Sequence, residues 1–575
     1  MSKRSYAYAA AVLAAATLTL APATVALADT GNPYAVGGVS QENTSNKALI
    51  NPTATVQLSI HKYLGVQTGQ PNNGTEQTVN QPPLQGVNFD VYQVFYDAAH
   101  TQKVDLTTNQ GWTDASAITG YTPSSADIAA GSFTINGKTY YIAKSATVTT
   151  DASGSATFTK PTGVGFYLVA ENLKTSGTLT SNGTTIDKST VTPAAPFFVT
   201  LPMTNPSDPT RWMYDVNVYP KNQSDSIAKA ATDKGTTTGD AGNTGSHAVD
   251  YTVTSSITDG TNPLGMYVVY DDLDPALTFT GADLKLSNGT ALVAGTDYTV
   301  YTAPNATTPA TAYTSGSVAN GPLVTVVFTD AGLAKLEANR SLNVVTTLHT
   351  TVGALDADGV IPNKASFVPN QNWWDQYGTA GVNPETPATT PPGTVPGTPS
   401  PVVESKYGTV VVDKYDPQNS GANLAGAVFA IYADATPGDN TCSASDVSGT
   451  PINTATIGSN NKATFTGLQT SNFYNGGPVA DQTKWLSYCL VETKAPAGYN
   501  LDAAPRYITI DYTTGSTTAP ASVTQRVANE QANFGNSLPL TGGSGVAAMS
   551  ALGLLLVGGG VAYSMKNRRR EEQDA

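Results

Sequence analysis

Two lysines stand where lysine is out of place. Val56, Leu58, Ile60 and Lys62 alternate with Gln57, Ser59 and His61, and Val410, Val412 and Lys414 alternate with Val411 and Asp413. Successive side chains of a strand face opposite sides, so each lysine shares the apolar face and points inward. Each region repeats a second pattern further on: Tyr167-Leu-Val-Ala-Glu171 and Tyr488-Cys-Leu-Val-Glu492 put a tyrosine, an aliphatic residue and a glutamate at i, i+2 and i+4. A carboxyl group is thus set beside the lysine face. Burial disfavours both charges, which lowers the lysine pKa and raises the glutamate pKa, and a neutral amine is a nucleophile. In the later region an acceptor carbonyl is at hand, because Val523, Val527 and Asn529 share one parity on the last strand. Taken alone, such a pair is more often a solvated lysine at a strand end and an ordinary surface asparagine.

The elements that must position these groups are strands. The 575 residues suggest roughly two to four domains, since single cores stop growing near ~250 residues. Lys+Arg 29 against Asp+Glu 43 gives a net charge of −14, the wrong sign for a nucleic-acid binder, and only 13% of residues are charged. With 53 glycines, 36 prolines and an abundance of Thr, Val, Tyr and Asn, the chain favours strands and turns. Four histidines (His61, His100, His247 and His349) and two cysteines, none close together, leave almost no material for a metal site or a cysteine nucleophile. No cofactor is expected. Nor is there a Ser/His/Asp signature or a paired-carboxylate cleft of the kind a secreted hydrolase needs, and the chain is not expected to be an enzyme.

Both ends carry export signals. Lys3 and Arg4 precede the apolar stretch Ala9 to Leu20, and Ala26-Leu27-Ala28 closes a secretory signal peptide, residues 1–28. At the other end Leu538-Pro539-Leu540-Thr541-Gly542 stands before the apolar run Val546 to Tyr563 and the basic cluster Lys566, Arg568, Arg569 and Arg570. Motif, run and tail, within 538–575, resemble the LPxTG cell-wall sorting signal of Gram-positive surface proteins. That resemblance implies that a sortase cysteine attacks the Thr541 carbonyl, releases Gly542 onward and holds the protein as a thioester until an amine resolves it. Between the ends, the Pro/Thr-rich stretch 384–403 reads as an extended spacer. Tyr219-Pro220-Lys221-Asn222 marks a second boundary, giving modules at 53–221, 222–383 and 404–533. Cys442 and Cys489, the only cysteines of an exported chain, are expected to pair as a disulfide on the outer side of the last module.

Tyr488-x-Leu490-x-Glu492-Thr493-x-Ala495-Pro496-x-Gly498-Tyr499 resembles the E-box of Gram-positive pilins position by position. The module around it is similar to the collagen-adhesin B-type immunoglobulin-like domain. The resemblance implies an all-β chain of tandem immunoglobulin-like β-sandwich domains and an intramolecular isopeptide bond between Lys414 and Asn529. Glu492 would hydrogen-bond the asparagine carbonyl and shuttle the proton as ammonia leaves. In the middle module Ile227 and Lys229, then Tyr270-Asp271-x-Leu273, then Asn363-x-Ala365-x-Phe367 resemble the A-type adhesin-like domain of pilins, where an aspartate replaces the glutamate. The implied bond there is Lys229 to Asn363, with Asp271 as the acid in preference to Asp272, and Lys229 preferred over Lys234. In the first module Asn217 faces away from Val216 and Val218, so Lys62 and Glu171 read as a buried pair or an inherited remnant.

Trp212-x-x-x-Val216-x-Val218-Tyr219-Pro220-Lys221-Asn222 resembles the pilin motif at every specified position. The family's corresponding lysine resolves the sortase thioester of the next subunit, which implies a bond from Lys221 to Thr541 of a neighbour. Lys221 should then be exposed, on a stretch that Pro220 keeps out of a regular ladder. The resulting expectation is the structural backbone subunit of a sortase-assembled pilus, cell-wall anchored and supporting adhesion. Its implied partners are a pilin-specific sortase, identical subunits, peptidoglycan through a housekeeping sortase or a basal pilin, and a host receptor or matrix component. The alternative from a different class is a wall-anchored monomeric adhesin, which has no use for an acceptor lysine between modules.

Overall fold

The computed structural model describes residues 41–65, 72–234, 248–260 and 262–532. The signal peptide, His247 and the sorting signal with Thr541 lie outside these. Strands dominate, and the alternating stretches are the reason. Val56–His61 and Val403–Tyr415 bury every second side chain over most of their length, so one face of each closes onto a core while the other meets water.

In the first module Val56–His61 lies between Ser155–Lys160, antiparallel, and Asp215–Val218, parallel. A five-stranded sheet built on Asn88–Phe95 and Gly165–Glu171 supplies the other half of the core, where Leu58 and Ile60 join Phe89, Val91 and Tyr167. The middle module pairs Ile227–Asp233, Ala248–Ser256, Asn343–Val352 and Leu277–Leu286 in one sheet. Val268–Asp272 lies in its second sheet, between Leu323–Phe328 and Ala365–Val368. The third module sets Val403–Tyr415 between Lys462–Gln469 and Ala521–Ala528, and its second sheet holds Val428–Ala433 beside Tyr488–Lys494. First and last strands of the first and third modules therefore run parallel and adjacent. That is the arrangement that brings a residue near the start of a module beside one near its end.

Strand Val403–Tyr415 does not respect the boundary between modules. Its first residues pair with Val360–Asn363 of the middle module, and from Tyr407 onward it pairs inside the third. The segment 384–403, expected to be a free spacer, is laid along the middle module: Ala310 N donates to Pro387 O (3.0 Å), Gly393 N to Ala306 O (2.8 Å) and Ser366 Oγ to Pro396 O (2.6 Å). Prolines lack a donor but keep a carbonyl, so the strap accepts at Pro387 and Pro396 and donates only from non-proline residues such as Gly393. Helices also interrupt the strand pattern, among them Asn109–Thr119, capped by Thr108, and Gln371–Tyr377, capped by Asn370. The sequence reading contained none of them, although Thr and Asn caps are a readable signal.

Candidate functional sites

In each module a buried lysine meets an acidic side chain. Lys62 follows Ile60 inward, is fully buried, and its Nζ donates to Glu171 Oε2 at 2.7 Å. The same amine donates to Asn222 Oδ1, while Asn222 Nδ2 donates to Glu171 Oε1 at 2.6 Å. This corrects the reading of the first module. Asn217 is engaged elsewhere, by His61 at 2.9 Å, but Asn222 occupies the acceptor position. After Pro220 the chain resumes pairing as Lys221–Ser224, parallel to Tyr63–Leu64 and in the register already set by Ile60 and Val218, so Asn222 faces inward at the parity of Val216 and Val218. That parity carries through Pro220 to Asn222, so this position was readable; the sequence reading stopped at Asn217 and did not continue the count past the proline. Backbone N–H of Ala194 completes the cluster, donating to Glu171 Oε2 (2.9 Å) and Asn222 Oδ1 (3.0 Å).

In the third module Lys414 pairs across from Val527, and Asn529 lies two residues on, just past the strand end. Lys414 Nζ contacts Asn529 Oδ1 and stands 3.0 Å from Glu492 Oε1. Asn529 Nδ2 points to Glu492 Oε1 (3.3 Å) and to the Asn500 carbonyl (2.9 Å), which fixes which amide atom is the carbonyl. Glu492 therefore faces the nitrogen that would leave, not the amide oxygen as expected from the sequence. Asp502 N donates to Glu492 Oε2 at 2.9 Å. In the middle module Lys229 is ion-paired to Asp271, and both are buried. Asp272 is exposed, and Lys234, largely exposed, pairs with Asp250 instead. Asn363 lies near enough to Asp271 to hold its pKa down somewhat. Even so, Asp271 Oδ1 and both amide atoms of Asn363 are buried without a hydrogen-bond partner.

Burial lowers the pKa of Lys62, Lys229 and Lys414, and it raises that of Asp271. Each shift favours the neutral form, the state in which an amine can attack and an acid can donate. The chemistry the arrangement allows is amide transfer. The lysine Nζ bonds to the asparagine Cγ, the Cγ–Nδ2 bond breaks, and the proton lost by the amine leaves with Nδ2 as ammonia by way of the carboxyl group.

Lys221 departs from expectation. It is half-buried, its pKa is lowered by burial, and its Nζ reaches back to the Tyr219 carbonyl at 3.4 Å. Because it alternates with Asn222 on a paired strand, it points away from the Lys62 cluster into a cleft whose far wall is the middle module. Cys442 and Cys489 are bonded, with Cα atoms 5.8 Å apart, and Cys489 is fully buried on the strand that carries Glu492. No described helix is long and apolar enough to cross a membrane.

Residues 53–223 match the Gram-positive pilin subunit D1 N-terminal domain, 408–522 the SpaA prealbumin-like fold domain, and 530–572 the LPXTG cell wall anchor motif. The chain is 33% identical over 562 residues to the fimbrial subunit type 1 of Actinomyces viscosus, covering 91% of this chain and 92% of that one. It is 30% identical over 604 residues to the fimbrial subunit type 2 of Actinomyces naeslundii, covering 99% and 98%. The fold is similar to the full-length major pilin SpaD of Corynebacterium diphtheriae (TM-score 0.56, 22% identity, 84% of this chain and 99% of that one). It is also similar to the major pilin SpaA of that organism (TM-score 0.51, 23% identity, 83% and 100%). Architecture, anchor motif and relatives define a structural β-sandwich protein of the cell-wall surface, and the chain belongs to the Gram-positive fimbrial subunit family. It is a pilus backbone subunit carrying an LPXTG cell-wall anchor.

Proposed function

We propose that this subunit is polymerised by a pilin-specific sortase through a bond between Thr541 of one copy and Lys221 of the next, and is then hardened from within by Lys–Asn isopeptide bonds. Two of those bonds are the expected ones, Lys229 to Asn363 assisted by Asp271, and Lys414 to Asn529 assisted by Glu492. The third joins Lys62 to Asn222 with Glu171 as the acid. The observation that carries this reading is the buried meeting of Lys62, Glu171 and Asn222, since one polar cluster of this composition is unremarkable in a core but the same trio recurs in the third module. Isolated buried ion pairs seldom repay their desolvation, whereas a covalent amide removes the lysine's charge and leaves the acid free to be buried protonated. The orphaned amide of Asn363 supports the middle bond, because joining Lys229 to its Cγ expels the unpartnered nitrogen as ammonia.

The remaining partners are peptidoglycan, reached through a housekeeping sortase or a basal pilin, and a host receptor or matrix component met by the assembled fibre. Intact mass of the mature chain tests the internal bonds: a deficit of three ammonia equivalents is expected, and Glu492→Ala should restore one. A full sequence mass would reject the bonds. An anti-subunit blot of wall extracts boiled in detergent tests the linkage. The native chain should give a high-mass ladder and Lys221→Ala only wall-attached monomer, and a full ladder in that variant would move the acceptor elsewhere.

A further inference from the structure

Four buried side chains close a hydrogen-bonded ring where the first module meets the middle one. Asp225 lies between strands Lys221–Ser224 and Ile227–Asp233, and its backbone N–H is held by the Thr190 carbonyl at 2.8 Å. Thr192 of the first module and Thr258 of the middle module each donate a hydroxyl to one of its carboxylate oxygens. Asn370, which caps helix Gln371–Tyr377, donates its Nδ2 to both threonine oxygens, at 2.8 and 2.7 Å. Its own carbonyl accepts from Trp373 N at 2.8 Å, which fixes the amide's orientation. With Asn370 only donating into the ring, both hydroxyls must point at Asp225, so every donor has one acceptor and the geometry has no slack. All four side chains are buried, and among the described residues no cation hydrogen-bonds Asp225.

Three of the four, all but Asp225, also stand in the walls around the acceptor lysine. Thr192 lines the cleft beside Lys221, and Thr258, Pro263, Arg340 and Asn370 line it from the middle module. Arg340 Nη1 donates to the Thr258 carbonyl, tying the loop after strand Ala248–Ser256 to the end of helix Asp330–Glu337. Helix Gln371–Tyr377 braces the first module from the other side: Trp373 Nε1 donates to Ser189 O (2.8 Å), Tyr377 OH to Lys188 O (2.8 Å) and Gln376 Nε2 to Glu171 O (3.1 Å). A four-carbon lysine stem has many rotamers, and an acyl transfer requires the amine in one place; fixing its surroundings removes that entropy before the enzyme arrives.

We propose that the ring Asp225–Thr192–Asn370–Thr258 is a positioning device for Lys221: by locking the middle module's loop and helix end against the first module, it sets the walls between which the acceptor amine meets the incoming acyl group. This rests on Lys221 as the intersubunit acceptor. Asp225, Thr192, Thr258 and Asn370 touch no reacting atom and act through the lysine. The ring makes the acceptor site composite, so a subunit whose middle module is undocked offers a lysine that is more exposed and less useful.

The test separates access from position by measuring both. Mature chains with Asn370→Ala, Asp225→Ala or Asp225→Asn are treated with a small amine-reactive acetylating probe, and labelling of Lys221 is compared by peptide mass spectrometry with that of exposed Lys285. The same variants are blotted for the wall ladder. Asn370→Ala and Asp225→Ala should raise Lys221 labelling several-fold relative to Lys285 while the ladder shortens. Asp225→Asn, whose amide accepts from one threonine and leaves the other hydroxyl without an acceptor, should fall between native and alanine in both readouts. Unchanged labelling in the alanine variants would overturn the proposal, as would a rise in labelling and ladder together, which would mean that the ring merely shields the lysine. General unfolding is recognised by labelling that rises at every lysine. If Lys221→Ala keeps a full ladder the acceptor assignment fails, and the labelling comparison still reports on the ring by itself.

Discussion

The first and third modules use the same trio of lysine, glutamate and asparagine, but they place it differently with respect to load. In the proposed fibre, tension enters a subunit at Lys221 and leaves at Thr541. Everything before Lys221 hangs beside that path, and the whole third module lies on it. Lys414 and Asn529 sit at the same ends of two parallel strands, so a bond between them carries force from one strand to the other and bypasses the residues between. The Lys62–Asn222 bond carries none of that force. What their bond fastens is the first module to the residue next to the acceptor lysine. One chemistry thus serves two ends, bearing tension in one region and holding the acceptor's surroundings in the other.

Force spectroscopy on tandem subunits linked through Lys221 should break the two regions apart most visibly. Asn529→Ala frees a loop of 115 positions to extend, which is about 390 Å at ~3.4 Å per residue. Asn222→Ala should add no extension at all, yet leave the first module open to proteolysis at moderate heat. Equal extension in both variants would show that the first module does lie on the load path.

Removing the acids should also separate the modules, by a smaller amount. Glu171→Ala strands a fully buried lysine with only Asn222 for company, and breaking a buried pair from one side costs about 3–5 kcal/mol. Glu492→Ala has a similar cost, with loss of the covalent bond added. Each variant should regain one ammonia in mass and lose its own module's upper thermal transition. Should Glu171→Ala keep its mass deficit, the acid is dispensable in the first module.

Much of this was legible in the sequence, and most of what was missed has a common cause. Strand parity placed Lys62 and Lys414 inside, because a period of two is set by the backbone itself. The motif around Glu492 was readable residue by residue. Asn222 shares the parity of Val216 and Val218 and needed only the count carried past Pro220, whereas Ala194 and the ring at Asp225 were not readable, because each depends on where the chain goes after an interruption. Pro193 and Pro196 bracket a stretch whose N–H points inward, and Thr258 and Asn370 come from loops far apart in the chain. The strap at 384–403 was misread for a related reason: composition tells that prolines will not form a ladder interior, but not that neighbouring donors reach their carbonyls.

The first-module cluster has one donor with no counterpart at Asn529. Ala194 N–H points at the amide oxygen of Asn222, where negative charge develops as Lys62 attacks, while among the described residues Asn529 Oδ1 accepts from Lys414. Proline at this position removes that N–H, so Ala194→Pro should slow formation of the Lys62–Asn222 bond by roughly ten- to a hundredfold and leave the other bonds untouched. A time course of intact mass during refolding would show one deficit lagging. Normal kinetics of all bonds would reduce Ala194 to a structural contact.

The smallest expected effect is a pH dependence confined to the junction. Burial raises the Asp225 pKa to about 6, partly opposed by the hydroxyls of Thr192 and Thr258. The charged groups of the adjoining cleft are Lys221, Asp259 and Arg340, and the buried Tyr267 packs nearby. The protonated form is favoured in the folded protein relative to the unfolded chain, whose aspartate titrates near 3.8. Asp225 therefore contributes stability that is fully present below that value and is lost as pH rises through about 6, amounting to at most about 3 kcal/mol. Junction melting, followed by hydrogen exchange at the Trp373 and Gln376 amides, should be more resistant at pH 5 than at pH 7.5. Asp225→Asn should remove that difference, because its amide does not titrate in this range. The third module, which lacks this junction, should show the same exchange in both chains at each pH. If native and Asp225→Asn protein exchanged alike at the junction across this range, Asp225 would have to be held ionised at no cost, and a cation at its carboxylate would be needed to explain it.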